Sequence, residues 1–379
     1  MKIVFVSNFI NHHQVHVADE LYKLCQGNYW FIETNPISEA IVNTGYPIFS
    51  RPYLIKTYEG IDQLQYAEKI IDEADAVVIG DAPDSFVINR IQKNKLTFRY
   101  SERWFKSRPW FLTGPIGWFN IYNNHKKYTH RPLYMLCASA YTAKDVNTIG
   151  LYKGKCFKWG YFTKVERFDS TTKNCENILY NQTIRIMWCG RFLKWKHPEL
   201  PVKLAARLKN KGYNFVINMF GSGDILESIK KLARDLHVQD LVRFCGNRPN
   251  DEILQEMRKS HVFLFTSDRN EGWGAVLNEA MSSGCAVIGS DKIGAVPFLI
   301  QDEINGLIFE SESISSLEKK TIFLLDNPEK LNNMAYNAQK TMQDVWSPQN
   351  AALSFMRLID AIIHNNMSLL PDNGPCSRA

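Results

Sequence analysis

Residues 266–289 read TSDRNEGWGAVLNEAMSSGCAVIG, and this stretch decides the fold. It follows an apolar run at 261–265 that reads as a buried strand. A polar loop at 267–270 leads to Glu271 and then to Gly272, Trp273 and Gly274. From Ala275 and Val276 onward the apolar positions recur at helical spacing as far as Met281. Ser283 and Gly284 end that helix, and 285–288 starts another strand. Strand, glycine loop, helix and strand make one unit of a parallel, doubly wound sheet. Two glycines where a loop becomes a helix expose backbone N–H groups and the positive end of the helix dipole, a setting that suits a phosphate. Glu271 before the helix and Glu279 within it place a hydroxyl-binding carboxylate on either side, as a nucleotide-sugar well requires.

The flanking sequence repeats the alternation. A strand at 183–189 ends in Gly190 and Arg191, and Lys196 follows five residues after the arginine. Pro198 suits the first turn of a helix spanning 197–209. A strand at 215–220 runs into Gly221-Ser222-Gly223, but the third glycine of a dinucleotide fingerprint would fall at Leu226, so that fingerprint is incomplete. A strand at 241–245 is followed by the loop Gly246-Asn247-Arg248 and a helix at 251–259. Downstream, Gly294 marks a turn, and Asn305-Gly306 precedes a strand at 307–309. Helices are expected at 314–325, 328–341 and 351–364.

The Glu271–Glu279 pair with EGWG between resembles the signature of retaining glycosyltransferases of family four, the glycosyl transferases group 1 type, which have a GT-B fold. The resemblance implies an α/β fold of two Rossmann-like, doubly wound domains facing a cleft. It implies that Glu271 contacts donor-sugar hydroxyls, that Glu279 binds the ribose, and that the helix start at Gly272, Trp273, Gly274, Ala275 and Val276 holds the diphosphate. Gly190-Arg191 with Lys196 is similar to the family's cation pair on that diphosphate, although His197 stands where the family often has glycine. Gly221 would line the donor pocket, and Asn247 with Arg248 would lie beside the nucleobase. The resemblance also implies retention of configuration, no metal, no prosthetic group, and a UDP- or GDP-sugar as donor.

In the first half, strands are expected at 2–7, 29–33, 76–80, 96–100 and 156–162, with helices at 15–25, 61–74 and 84–92. Ligands bind outside the carboxyl ends of such strands, so the loops 8–14, 80–84 and 101–103 are the ones to watch. The first carries Asn11-His12-His13-Gln14, in place of the glycine-rich loop of many family members. His13 is a candidate acid, base or acceptor contact, against the plainer reading of an exposed histidine at a helix entry. Glu102 is a catalytic candidate by position, near the acceptor hydroxyl, against pairing with Arg99 or Arg103. From 99 to 131 the basic residues Arg99, Arg103, Lys106, Arg108, Lys126, Lys127 and Arg131 alternate with Trp104, Phe105, Trp110, Phe111, Trp118 and Phe119. That pattern suits a peripheral membrane surface, or stacking on a single strand of nucleic acid; the resemblance favours the membrane and no nucleic acid.

At 379 residues the chain accommodates two cores, and a net charge of +6 is too modest to demand nucleic acid by itself. Eight cysteines without a CxxC pair read as free thiols in a reducing compartment, with neither a disulfide frame nor a zinc site. The opening MKIVFVSNF reads as a first strand and not a signal peptide, so the expected location is cytoplasmic, peripheral on the inner face of the membrane. The expected boundaries are 1–165 for an acceptor domain, 166–182 for a linker and 183–345 for a donor domain. Residues 346–365 form a helix returning to the first domain, and 366–379 a frayed tail. The expected activity moves a sugar from a nucleotide sugar to a saccharide or lipid-linked acceptor in polysaccharide or glycolipid synthesis. Rivals are a nucleotide-binding scaffold without transfer, a single-stranded nucleic-acid binder, and a sugar phosphorylase or epimerase.

Overall fold

Short runs rich in valine, isoleucine and phenylalanine, each followed by a polar loop and an amphipathic helix, set the architecture. The structure is a computed structural model that describes residues 1–39, 47–106, 114–165 and 183–379. The expected linker 166–182, together with Arg108, Trp110 and Phe111, lies outside the described residues. The chain divides into two units, Met1–Lys164 with Trp346–Ala379, and Val165–Val345.

The first unit holds β1 (Ile3–Ser7), β2 (Tyr29–Glu33), β3 (Leu54–Lys56), β4 (Ala76–Ile79), β5 (Thr97–Ser101), β6 (Leu133–Cys137) and β7 (Cys156–Lys158). They form one parallel sheet in the order β3-β2-β1-β4-β5-β6-β7. Strand β1 is buried along its whole length, as a strand covered on both faces must be. The order reverses between β1 and β4, so the loops after those strands flank a switch point. The helix Pro348–Ile363 packs on Val15–Leu24, and its Phe355 ring meets Phe98 at 5.2 Å and Trp159 at 5.5 Å.

The last residues are not a frayed tail. Lys158 N–H donates to the Ser377 carbonyl at 2.8 Å, Cys376 N–H donates to the Lys158 carbonyl at 2.7 Å, and Phe157 bridges Arg378 in antiparallel fashion. The Arg378 guanidinium lies 5.0 Å over the Phe157 ring, and Cys376 is fully buried. The physical reason is that β7 is an edge strand with open backbone groups, which this segment covers. No periodicity marks such a cover in sequence.

The second unit holds β8 (Ile184–Cys189), β9 (Phe215–Phe220), β10 (Val242–Gly246), β11 (Val262–Phe265), β12 (Ala286–Ser290) and β13 (Leu307–Phe309). These are again parallel, in the order β10-β9-β8-β11-β12-β13. Its core joins Ile186, Trp188, Ile217, Val262, Leu264 and Ile288 from the sheet to Leu204, Leu208 and Leu317 from the helices. The helix expected from residue 197 starts later, at Glu199–Asn210. Lys194–Lys196 forms a 3-10 turn, and His197 takes a left-handed conformation (φ 49°, ψ 53°) that no α-helix admits. The switch point of this sheet lies between β8 and β11. The loops that carry Lys196 and Glu271 leave those two strands.

Candidate functional site

The loops after β8 and β11 are tied together by buried polar groups. The Trp188 indole N–H donates to Thr266 Oγ1 at 2.9 Å, and Thr266 donates in turn to the Lys196 carbonyl at 2.7 Å. The Asp268 N–H donates to the Trp195 carbonyl at 2.9 Å. This lacing delivers the Lys196 ammonium to Glu271 Oε2, which also accepts a hydrogen bond from Ser267 Oγ at 2.9 Å. The ammonium lies 4.4 Å over the Trp195 ring. Lys196 and Glu271, 75 positions apart, thus form a close, largely buried pair at the switch point. Arg191, on the same loop, is exposed, and among the described residues its guanidinium has no carboxylate partner.

After Glu271 the backbone must turn sharply into the helix Ala275–Ser282. Gly274 makes the turn with φ +93°, and a side chain there would run into the Phe265 ring. The helix has no side-chain cap at its N-terminus, and Ala275 and Val276 are only partly buried. Its first N–H groups are therefore not claimed by a capping side chain. Gly272 is buried. Trp273, a candidate donor contact, has its side chain fully buried instead: its indole donates to Asn278 at 2.9 Å and lies 6.2 Å from Phe298. Behind this loop, Gly221 (φ +126°) passes so close to the Gly190 carbonyl that any side chain would overlap it, and its N–H bonds the Gly246 carbonyl at 2.9 Å.

Glu279 sits partly buried in the second turn of the helix Ala275–Ser282. Burial pushes its carboxyl up to about 7, opposed by a hydrogen bond with the side chain of Asn250. Asn250 begins the helix Asn250–Lys259, directly after the exposed loop that carries Asn247 and Arg248. Asn247 donates to Ser222 at 2.8 Å, and Arg248 lies 3.8 Å from Glu252. Sequence reasoning missed Thr266, Ser267 and Asn250; nearness to Glu271 could have flagged the first two, and the place just after the Asn247-Arg248 loop the third.

The first unit gathers its own cluster at the carboxyl end of its sheet. Glu102 accepts from the Tyr161 hydroxyl on one oxygen and from Lys106 on the other, each at 2.5 Å. The His13 ring stacks on Tyr161 with centroids 3.8 Å apart. Burial and the neighbouring His12 hold His13 well below the usual imidazole range, so the ring is neutral, and its buried Nδ1 has no hydrogen-bond partner among the described residues. The pairings considered for Glu102 do not form: Arg99 binds Asp84 and the Asn124 carbonyl, and Arg103 lies 3.6 Å from Asp145. Arg99, Arg103 and Trp104 are therefore structural, the last packed on the core with its indole bonded to Ser101 at 3.1 Å. Among the described residues of 99–131, the exposed large apolar side chains lie on the helix Pro115–Asn124, where Ile116, Trp118, Phe119 and Tyr122 are 79%, 44%, 67% and 57% exposed. Among the described residues no helix is long and apolar enough to cross a membrane.

Residues 171–341 match the family described as Glycosyl transferases group 1. An uncharacterized glycosyltransferase of Methanocaldococcus jannaschii is 22% identical over 186 residues, 49% of this chain and 47% of that protein. N-acetyl-alpha-D-glucosaminyl L-malate synthase of Bacillus anthracis is 29% identical over 126 residues, 33% of this chain and 32% of that protein. The chain thus spans about half the length, or less, of these curated relatives. Among solved structures, Anabaena HepE in complex with UDP is similar with a TM-score of 0.67 at 13% identity, covering 98% of this chain and 100% of that one. A glycosyltransferase from Rickettsia africae is similar with a TM-score of 0.65 at 17% identity, covering 96% and 99%. These likenesses establish two parallel-sheet α/β domains of the GT-B kind.

Proposed function

We propose, on the match of residues 171–341 to the glycosyl transferases group 1 family, that the chain transfers a sugar from a nucleotide sugar to a hydroxyl acceptor with retention of anomeric configuration. The observation that carries this reading is the meeting of Lys196 and Glu271 beside the uncapped start of the helix Ala275–Ser282. A diphosphate there would take the ammonium of Lys196, the guanidinium of Arg191 and the backbone N–H groups after Gly274 as counter-charges. These groups would neutralise the leaving group as its bond to the anomeric carbon breaks. Glu271, released from Lys196 by the incoming phosphate, would accept hydrogen bonds from sugar hydroxyls. Glu279 would take the ribose, and the loop Gly246-Asn247-Arg248 would border the base.

UDP is the proposed carrier, since HepE is solved with UDP and with UDP-glucose. The neutralising set needs no metal in this reading, so activity should survive chelation. In the first unit, Glu102 and His13 are proposed to meet the acceptor, with Tyr161 and Lys106 orienting Glu102. The acceptor is proposed to be a saccharide or lipid-linked saccharide. The exposed apolar helix Pro115–Asn124, followed by exposed Lys126 and Lys127, would rest on an anionic membrane surface. The nucleic-acid alternative is the weaker one, because Arg99 and Arg103 are committed to carboxylates.

Thermal shift and calorimetry with UDP, GDP and their sugars test the donor reading. Stabilisation by UDP that is lost in Arg191→Ala is expected. A folded protein that responds to no nucleotide would overturn it. Flotation with anionic liposomes tests the surface: Trp118→Ser with Phe119→Ser should release the protein, and undiminished flotation removes the membrane from the reading.

A further inference from the structure

His197 lies next to Lys196, yet the proposed donor contacts leave it unused. It follows the 3-10 turn that ends in Lys196 and holds a left-handed backbone, a conformation uncommon outside glycine. Its ring is held on both sides. Nδ1 lies 2.9 Å from Glu199 Oε1, and Nε2 lies 3.4 Å from Asp268 Oδ2. An ionised carboxylate only accepts hydrogen bonds, so serving both partners requires a hydrogen on both ring nitrogens. A neutral ring keeps one of these contacts and turns the other into a meeting of two acceptors. The Glu312 carboxylate approaches the same place, with atoms of His197, Asp268 and Glu312 all within 4.8 Å of one another. The charged groups facing the ring are thus Glu199 from the following helix, Asp268 from the loop after β11 and Glu312 from the segment after β13, with Lys196 as its chain neighbour and Lys203 near Glu199.

Two further bonds show what the bridge joins. Asp268 N–H donates to the Trp195 carbonyl, and the Glu271 N–H donates to the Asp268 carbonyl at 3.1 Å. Asp268 is therefore the hinge between the turn bearing Lys196 and the loop bearing Glu271. We propose that His197 is a positioning residue: as an imidazolium between Glu199 and Asp268, it braces the Lys196 turn against the Glu271 loop so that both meet the donor diphosphate and sugar. The role rests on the reading of this site as a nucleotide-sugar well. It makes donor binding depend on pH from the alkaline side. The Glu199 hydrogen bond, with Asp268 adding to it, raises His197 above the usual imidazole range. The brace is then complete below pH 6.5 and is lost as pH rises through that elevated value.

The experiment combines a histidine-selective NMR titration with UDP affinity measured by calorimetry from pH 5.5 to 8.5. His197→Gly suits the left-handed backbone and removes the ring alone; His197→Asn is the second variant, since asparagine also accepts that conformation. In the wild type the His197 signals should titrate above 6.5, and Asp268→Asn should lower that midpoint. The wild type's advantage in UDP affinity over either variant should shrink toward alkaline pH. Both variants should bind UDP several-fold more weakly at pH 6 and equal the wild type at pH 8.5, so that the alkaline limb disappears. Wild-type and His197→Gly affinity curves that coincide throughout would overturn the bracing role, as would a ring that is neutral at pH 6. A wild type that binds no nucleotide at any pH overturns the donor reading itself, and with it the role. The titration still reports the bridge in that case, so the two failures are distinct.

Discussion

Lys196 and Glu271 hold each other in a close ion pair, so each competes with substrate for the other. Their proposed targets differ. Lys196→Ala should weaken UDP binding about tenfold or more by calorimetry, since it removes a charge-assisted contact to the diphosphate. Glu271→Gln should leave UDP affinity within a few-fold and lower kcat by about 10²–10³-fold, the scale of one preorganised transition-state contact. Equal losses of UDP affinity in both variants would contradict this division. Glu279 adds a pH dependence whose sign follows from chemistry. Burial pushes its carboxyl up to about 7, so it is protonated through mildly acidic pH. A ribose diol donates two hydrogen bonds best to the carboxylate, so in the His197→Gly background, which lacks the alkaline limb, UDP affinity should rise as pH passes upward through 7. Glu279→Gln should lack that acid limb. The same shift works against the free protein: its contribution to stability is present below the ordinary carboxyl range and is lost as pH rises through 7.

Elements succeed here where several residues agree locally, and they are harder to read where agreement comes from far away. The helix Ala275–Ser282 was legible because its glycine, its flanking strands and both glutamates lie within one short stretch. Glu102 was legible only as a position. Its partner Tyr161 lies 59 residues on, within a run that reads as strand although β7 stops at Lys158. His197 was misread because Pro198 supports a helix start, while the left-handed turn before it is set by contacts to β11's loop. The basic stretch at 99–131 divided against its composition for a similar reason: burial, not charge, separates Arg99 from Lys126. A further element-scale device was not anticipated. Buried Arg90 bonds the carbonyls of Ile71, Ala74 and Leu96 and accompanies Thr97, joining the end of the helix Ile61–Glu73 to the start of β5. Arg90→Leu would strand several buried acceptors. It should cost about 3 kcal/mol or more, roughly 6–12 °C in the melting of that unit. A change under 2 °C, read by calorimetry, would show that these carbonyls find other partners.

At the scale of the molecule, the first unit is discontinuous, assembled from Met1–Lys164 and Trp346–Ala379, whereas the second is one continuous segment. Removing 366–379 would uncover the β7 edge and the Phe157 ring while leaving every strand of the second unit in place. Scanning calorimetry of that truncation should show the first unit's transition lowered and the UDP-responsive transition unchanged. A lowering of both would mean that the units melt together. The same discontinuity fixes an order of events during synthesis. As the polypeptide emerges from the ribosome, the second unit has all its residues in hand while the first still lacks its closing helix and edge cover. A partly made chain therefore carries a sheet whose hydrophobic face and open edge wait, exposed, for residues 346–379. Ribosome pausing near residue 345, or a premature stop there, would leave the proposed nucleotide half sound and turn the other half into a target for chaperones and proteases.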